Sequence, residues 1–149
     1  MSDQTPKIVR AFLDANAIYA ASIDANGGAS KLWAIPNVVL VTNEYAAKEA
    51  WENLSGARNA NDIKACLDRM TVLMQSVELH PGDGDTTGGL FCPWKLTDPN
   101  DVPILMGAIN GKCDYLITLD SKCFGEYFGM SLDGVMVLKP GKFLDLHGL

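Results

Sequence analysis

Short apolar runs alternate with helix-like segments along this chain, and this alternation limits the folds open to it. Residues 7–13, KIVRAFL, and 37–42, NVVLVT, are brief, apolar and in the second case β-branched, which is typical of buried strands in a parallel sheet. A segment with helical features follows each of them, at 15–24 and at 43–54. Repeated strand–helix units predict an α/β protein, a three-layer α/β/α sandwich around a mainly parallel central sheet.

The remaining segments continue this pattern. Two more helices and two more strands are predicted, at 28–34, about 99–111, 114–118 and 135–140. Glycine and proline are dense over 80–96, which predicts a loop. Since 149 residues is the size of one domain, we expect a single domain over 1–149.

The clearest helix is predicted over 61–74, where apolar residues recur three and four positions apart. These residues are Ile63, Cys66, Leu67, Met70, Leu73 and Met74. Such a stripe packs either into the core of its own chain or against a helix of another. Trp51 falls in the preceding helix, 43–54, and is expected to pack in the core.

Charge and cysteine content exclude several classes of protein. The net charge of −6 argues against a broad basic face that binds nucleic acid, but it allows an acidic site that meets phosphates through metal ions. No apolar run approaches the ~20 residues of a membrane helix, and MSDQTPK at the start lacks the apolar core of a signal peptide, so we expect a cytoplasmic protein. The cysteines lack zinc or redox spacing and are expected to be free thiols: Cys66, Cys92, Cys113 and Cys123.

Acidic side chains follow two of the predicted strands. Asp14 comes directly after VRAFL, and Asp120 comes directly after YLITL. Because the carboxyl ends of parallel strands meet at one rim of a sheet, we expect these two acids to share that rim. Further acids occur in 98–105, DPNDVPIL, and in the helix at 43–54.

Carboxylates that converge in this way need a partner of opposite charge. In a partly desolvated site they repel one another unless cations neutralise them. A hard divalent ion such as Mg²⁺ suits oxygen ligands, which favours metal-assisted hydrolysis of a phosphodiester. From the residues alone, two alternatives remain: Asp14 could simply cap the next helix, and Asp101 could stabilise a helix N-terminus.

Four blocks of the sequence resemble the PIN domain family of nucleases, which includes the VapC-like toxins of toxin–antitoxin modules. The blocks are FLDANAIYAAS (12–22), VTNEYAAKEAWENL (41–54), DVPILMGAINGKCDYLITLD (101–120) and KPGKFLDL (139–146). They cover nearly the whole chain, and the block at 101–120 is the most specific. The resemblance implies a PIN-like fold and an endoribonuclease that depends on Mg²⁺ or Mn²⁺, as the toxin of such a module. It also implies RNA as substrate, an antitoxin as a possible partner, and a homodimer that pairs through the 61–74 helix.

The resemblance also implies a set of site residues. The catalytic acids would be Asp14, Glu49, Asp101 and Asp120, of which Asp14, Asp101 and Asp120 would hold the metal. Asn16 and Thr118 would support these acids. Glu44 remains an alternative to Glu49, because both flank the apolar arc of the same helix. Lys112 and Lys122 bracket the strand before Asp120 and are candidate contacts to RNA phosphates.

The chain departs from the family pattern at three positions. Ala15 stands where many members have Thr, and Leu119 where Gly is usual. Cys123 stands where many members carry a further acidic residue or histidine, which leaves open whether one metal binds or two. The alternative function is therefore a catalytically weak or inactive PIN-like domain that binds RNA or protein.

Overall fold

A six-stranded sheet forms the centre of the protein, for which a computed structural model describes residues 7–56, 60–82 and 101–149. The strands are β1 (Val9–Leu13), β2 (Val38–Asn43), β3 (Glu78–His80), β4 (Tyr115–Ile117), β5 (Ser131–Leu132) and β6 (Val135–Leu138). They lie in the order β3-β2-β1-β4-β6-β5, and all neighbours are parallel except β5 and β6. The carboxyl ends of β1, β2, β3, β4 and β6 therefore meet at one rim of the sheet.

Helices cover this sheet. In the described ranges they are α1 (Ala15–Ile23), α2 (Glu44–Gly56), α3 (Ala60–Met74), α4 (Val102–Asn110) and α5 (Pro140–Leu146), and 3₁₀ helices lie at Ala29–Ala34 and Gly125–Tyr127. The predicted three-layer α/β/α sandwich with a mainly parallel sheet is confirmed. In the ranges described above, no helix has both the length and the apolar character needed to cross a membrane.

The central strand β1 explains why the apolar run at 7–13 is so reliable a signal. Phe12 pairs in register with Val41 of β2 on one side and with Leu116 of β4 on the other. Phe12 and Leu13 are fully buried, as expected for a strand covered on both faces. The run ends at Asp14, where the chain leaves the sheet.

Helix α4 packs closely over the ends of β1 and β2. The side-chain oxygen of Asn43 accepts the N–H of Ala46 at 2.9 Å, and its amide nitrogen donates to the carbonyl of Pro103 at 3.2 Å. A Cβ on Gly107 would lie 2.5 Å from that same nitrogen and 2.9 Å from Cζ of Phe12. Only glycine permits this approach, which fixes the start of α4 beside the rim.

Several boundaries differ from those predicted. Residues 28–34 form a 3₁₀ helix rather than an α-helix, and most of the predicted 80–96 loop lies outside the described residues. His80, predicted to begin that loop, is the last residue of strand β3, whose hydrogen bonds come from β2. The predicted strand 135–140 ends at Leu138, because Pro140 occupies the first turn of α5, where proline is favoured.

The apolar stripe of α3 is divided between the core and a surface groove. Cys66 and Met70 are buried, while Leu67 and Met74 are half-buried and line a groove of about 400 Å³ against α2. The expectation that Trp51 packs in the core was wrong: its side chain lies at the edge of this groove and is 54% exposed. The helical pattern predicted the helix correctly but not which part of it is covered.

Candidate active site

Asp14 occupies the rim and caps α1 at the same time. Its backbone is extended, and its Oδ1 accepts the N–H of Ala15 at 2.6 Å. Its own N–H donates to the carbonyl of Ile117 at 3.0 Å, so the end of β1 is tied to the end of β4. The helix-cap interpretation and the rim interpretation are thus both consistent with the position of this residue.

Thr118 joins the two strand-end acids. Its hydroxyl donates to Oδ2 of Asp14 at 2.8 Å, and its oxygen accepts the N–H of Asp120 at 3.1 Å. Asn16 lies in the same network: its amide nitrogen is 3.4 Å from Oδ2 of Asp14 and its oxygen accepts the N–H of Leu119 at 2.9 Å. Two backbone segments far apart in sequence are therefore held together by side-chain hydrogen bonds, of which the one between Thr118 and Asp14 is buried.

The carboxyl group of Asp14 lies in an environment that disfavours its charge. Burial, together with the negative charges of Asp101 and Glu49, raises the pKa of Asp14 from its usual 3.8 to about 7. Hydrogen bonds from Thr118 and Ala15 oppose this shift. A cation bound nearby would favour the ionised form, so the electrostatics of this residue suit a metal site.

Three potential ligand atoms lie together at this rim, and Asp14, which Thr118 links to Asp120, is not part of the group. One ligand atom each from Asp101, Asp120 and Cys123 is within 4.8 Å of the other two, and all three residues are half-buried. Asp101 immediately precedes α4, and Oδ1 of Asp120 accepts the N–H groups of Lys122 and Cys123, each at 3.1 Å. Carboxylate oxygens suit Mg²⁺ or Mn²⁺, whereas a thiolate suits zinc and other softer ions. The donors present therefore fit a divalent ion.

The thiol of Cys123 is strongly affected by its neighbours. Partial burial, together with hydrogen bonding and charge from Asp101 and Asp120, raises the pKa of this thiol to about 12. The thiol is therefore protonated near neutral pH when no cation is bound. The sequence marked Cys123 as a departure from the family, and its spacing of three residues after Asp120 was the signal that placed it beside the acids.

The two glutamates considered in α2 occupy different environments. Glu49 is half-buried, and its charge contributes to the raised pKa of Asp14. Glu44 is exposed in the first turn of the helix and is absent from the charges that act on Asp14. The structure thus brings Glu49 toward the acids that follow β1 and β4.

The two candidate lysines lie at opposite ends of β4. Lys122 is exposed and follows Asp120 at the acidic rim. Lys112 lies before β4, after the C-terminus of α4, so the length of that helix, about 14 Å, separates it from Asp101. The structure does not bring Lys112 to the acids. Residues just past the carboxyl ends of parallel strands share this rim, which is how Asp14 and Asp120 were predicted. Lys139 directly follows β6 and so lies at the same rim, but it was not among the predicted site residues.

Comparison with known proteins bears on the fold. No protein-family model matches the chain, and no curated protein matches it. Solved structures do match. One match is VapBC2 from Rickettsia felis, solved in complex with a DNA fragment from its own promoter. It has 16% sequence identity to this chain and a TM-score of 0.61, and the match covers 88% of this chain and 98% of that chain. Another is PAE2754 from Pyrobaculum aerophilum, with 18% sequence identity and a TM-score of 0.62, over 94% of this chain and 96% of that chain.

A third match is VapC20 from Mycobacterium tuberculosis, a Sarcin-Ricin loop cleaving toxin, with 15% identity and a TM-score of 0.54 over 74% of this chain and 90% of that one. At these identities the likeness establishes the fold. The chain has the PIN-domain fold, and the resemblance to that fold is confirmed. Its fold is shared with the VapBC2 and VapC20 structures.

Proposed function

We propose that the chain is a single-domain, metal-dependent endoribonuclease that hydrolyses RNA phosphodiester bonds in the cytoplasm, as the toxin of a toxin–antitoxin pair. The observation that carries this proposal lies at one rim of a VapC-like fold: Asp101 and Asp120 cluster there with Cys123, Thr118 links Asp120 to Asp14, and the charge of Glu49 acts on Asp14. VapC20 cleaves the Sarcin-Ricin loop, which supports RNA as the substrate class.

Each side chain of the site has its own role in the proposed reaction. Asp14, Asp101 and Asp120 would hold Mg²⁺ or Mn²⁺, which when bound supplies charge stabilisation at the scissile phosphate and an activated water. Thr118 and Asn16 hold Asp14 in place through the hydrogen bonds already described. Glu49, which is half-buried and whose charge acts on Asp14, would orient water or accept its proton.

Cleavage in the presence and absence of metal tests the proposal. Wild-type protein incubated with single-stranded and stem-loop RNA should cleave it with Mg²⁺ or Mn²⁺ and not with EDTA. Asp120→Asn should lose at least a hundredfold in rate, whereas Asp133→Asn should not, because Asp133 is exposed in the turn between β5 and β6 at the opposite end of the sheet. Cleavage that survives both EDTA and Asp120→Asn would contradict the proposal.

Cys123 gives the alternative function a specific basis. A thiol in place of an acid weakens the affinity of the cluster for Mg²⁺. If wild-type protein binds RNA tightly but cleaves none with any divalent ion, the chain is a PIN-like binding module instead.

The proposed partners are an antitoxin and a second copy of the chain. Solved VapBC complexes with this fold support the antitoxin.

For the homodimer, the groove between α2 and α3 offers an apolar surface with the exposed Trp51 at its edge. Trp51→Glu should convert a dimer of the purified protein to a monomer in light scattering, whereas Val72→Glu, exposed on α3 outside the groove, should not. A mass near 16.1 kDa for wild type would rule the dimer out. Met70 is a poor probe because it is buried within the chain itself.

A further inference from the structure

A second surface at the rim combines an aromatic ring with two lysines. Phe128, Gly129, Leu138, Lys139 and Lys142 line a cavity of about 370 Å³. Nζ of Lys139 lies 5.3 Å from the centroid of the Phe128 ring, within the range of a cation–π contact. Phe128 is half-buried, whereas both lysines are exposed, so one wall of the cavity is fixed and the charged groups can adjust.

This cavity lies next to the acidic cluster. Leu138 is in register with Ile117, and its carbonyl accepts the N–H of Thr118 at 3.0 Å. Thr118 is the residue that joins Asp14 to Asp120. Because neighbouring strands lie about 4.8 Å apart, Lys139 leaves the sheet one strand away from the acids.

The aromatic wall is tied to the far side of β6. Phe128 forms a parallel bridge with Val137, and the N–H of Gly129 donates to the Val137 carbonyl at 2.8 Å. Since Val137 pairs with Leu116, the backbone of Phe128 is about two strand spacings, roughly 10 Å, from that of Leu116, two residues before Thr118. A ligand that spans this distance would touch the acids at one end and the ring at the other.

We propose that this cavity binds a nucleotide of single-stranded RNA adjacent to the scissile phosphate, with its base against Phe128 and flanking phosphates on Lys139 and Lys142. The inference rests on the proposed nuclease function. A chain of net charge −6 whose cluster of carboxylates faces the substrate needs cations close by to hold a polyanion. An aromatic face with basic residues beside it is the arrangement that binds single strands without reading sequence.

RNA binding tests this cavity independently of cleavage. Anisotropy of a fluorescent single-stranded oligoribonucleotide is measured with the wild-type protein in EDTA. Phe128→Leu should weaken binding by roughly tenfold, while Phe128→Tyr, which keeps a stacking face, should bind like wild type. The double variant Lys139→Gln/Lys142→Gln should weaken binding and reduce the salt slope of log K by about 1.4, since each phosphate contact contributes about 0.7. Lys64→Gln, exposed on α3, is the matched control and should change nothing.

Cleavage measurements separate this inference from the proposed function. In Mg²⁺ or Mn²⁺, Phe128→Leu and the double lysine variant should raise KM with little change in kcat. If wild-type protein cleaves RNA and both variants keep wild-type RNA binding and KM, the proposed role of the cavity is wrong and the proposed nuclease function is unaffected. RNA binding that depends on the cavity without any cleavage would support the cavity and overturn the nuclease. Failure of wild-type protein to bind RNA would overturn the cavity.

Discussion

The hydroxyl of Thr118 donates a 2.8 Å hydrogen bond to Oδ2 of Asp14, across 104 residues of sequence. Both side chains are buried, so neither can exchange this bond for one with solvent. The same hydroxyl oxygen accepts the N–H of Asp120. One small side chain therefore holds two acids of the candidate site in fixed positions.

Replacing Thr118 by valine keeps its shape and removes this link. A buried carboxyl and an N–H group would lose their partner, so the free energy of unfolding should fall by about 1–3 kcal/mol, and Mn²⁺ affinity should fall with it. Urea denaturation and calorimetric Mn²⁺ titration measure the two effects. Thr118→Ser retains the hydroxyl and is the control. Wild-type stability and Mn²⁺ binding in Thr118→Val would show that the link is unimportant.

The two glutamates of α2 can be separated by removing one charge at a time. Glu49→Gln should reduce metal-dependent cleavage by at least tenfold, because its carboxylate lies close enough to act on Asp14. Glu44→Gln, on the same helix but exposed, should retain nearly full activity. Initial rates at saturating Mn²⁺ measure the difference. The opposite ranking would move the site toward the first turn of α2.

Cys123 should alter which metals the cluster prefers. With a thiol among its donors, wild-type protein should bind Zn²⁺ and Co²⁺ more tightly than Mg²⁺, and Co²⁺ should give a thiolate charge-transfer absorption. Cys123→Asp should lose that absorption and gain affinity for Mg²⁺. Cys66→Ser, at a buried thiol of α3, controls for other cysteines. Persistence of the absorption in Cys123→Asp would place the cobalt elsewhere.

Gly107 is closely packed against side chains of β1 and β2. A methyl group there would press on Asn43 and Phe12, so Gly107→Ala should destabilise the protein by about 1–3 kcal/mol despite its better helix propensity. At Gly56, on α2, a methyl group would meet open space, and Gly56→Ala should be neutral or slightly stabilising. Urea unfolding compares the two variants. Equal stability would mean that α4 can shift away from β1 and β2.

The ion pairs of Glu78, on the edge strand β3, should make the free energy of unfolding depend on pH in the acidic range. Arg10 donates to Glu78, and hydrogen bonds from Arg10 and His80 lower the pKa of Glu78 from 4.5 to about 2. Because the folded pKa is depressed, the network stabilises the protein above about pH 4.5 and is lost as pH falls toward 2. Glu78→Gln should thus lose less stability than wild type between pH 5 and pH 3, with Glu126→Gln as the exposed control. Since the side chains of Arg10 and Glu78 are partly exposed, 1 M salt should reduce the difference.

The sequence was informative wherever one physical rule acted locally. Apolar runs identified β1 and β2, and the shared rim of parallel strands predicted that Asp14 and Asp120 would lie together. Lys112 and Lys122 bracket β4, but a residue before a strand and a residue after it lie at opposite ends of the sheet, so only Lys122 lies at the acidic rim. The strand β3 was missed because Glu78–His80 is short and is defined by its hydrogen bonds to β2 rather than by its own pattern. Trp51 was misplaced because the helical period locates a face without showing what covers it.

The position of β1 between β2 and β4 has a consequence for synthesis of the chain. Asp14 is translated 104 residues before its partner Thr118, which therefore leaves the ribosome seconds later, at about 5–20 residues per second. Until then one edge of β1 has no β4 to pair with, and the acids of the rim remain apart. A nascent chain that has not reached β4, or one truncated before it, therefore carries no assembled site, so a cell that makes this protein meets the complete site only after Asp120 has been translated.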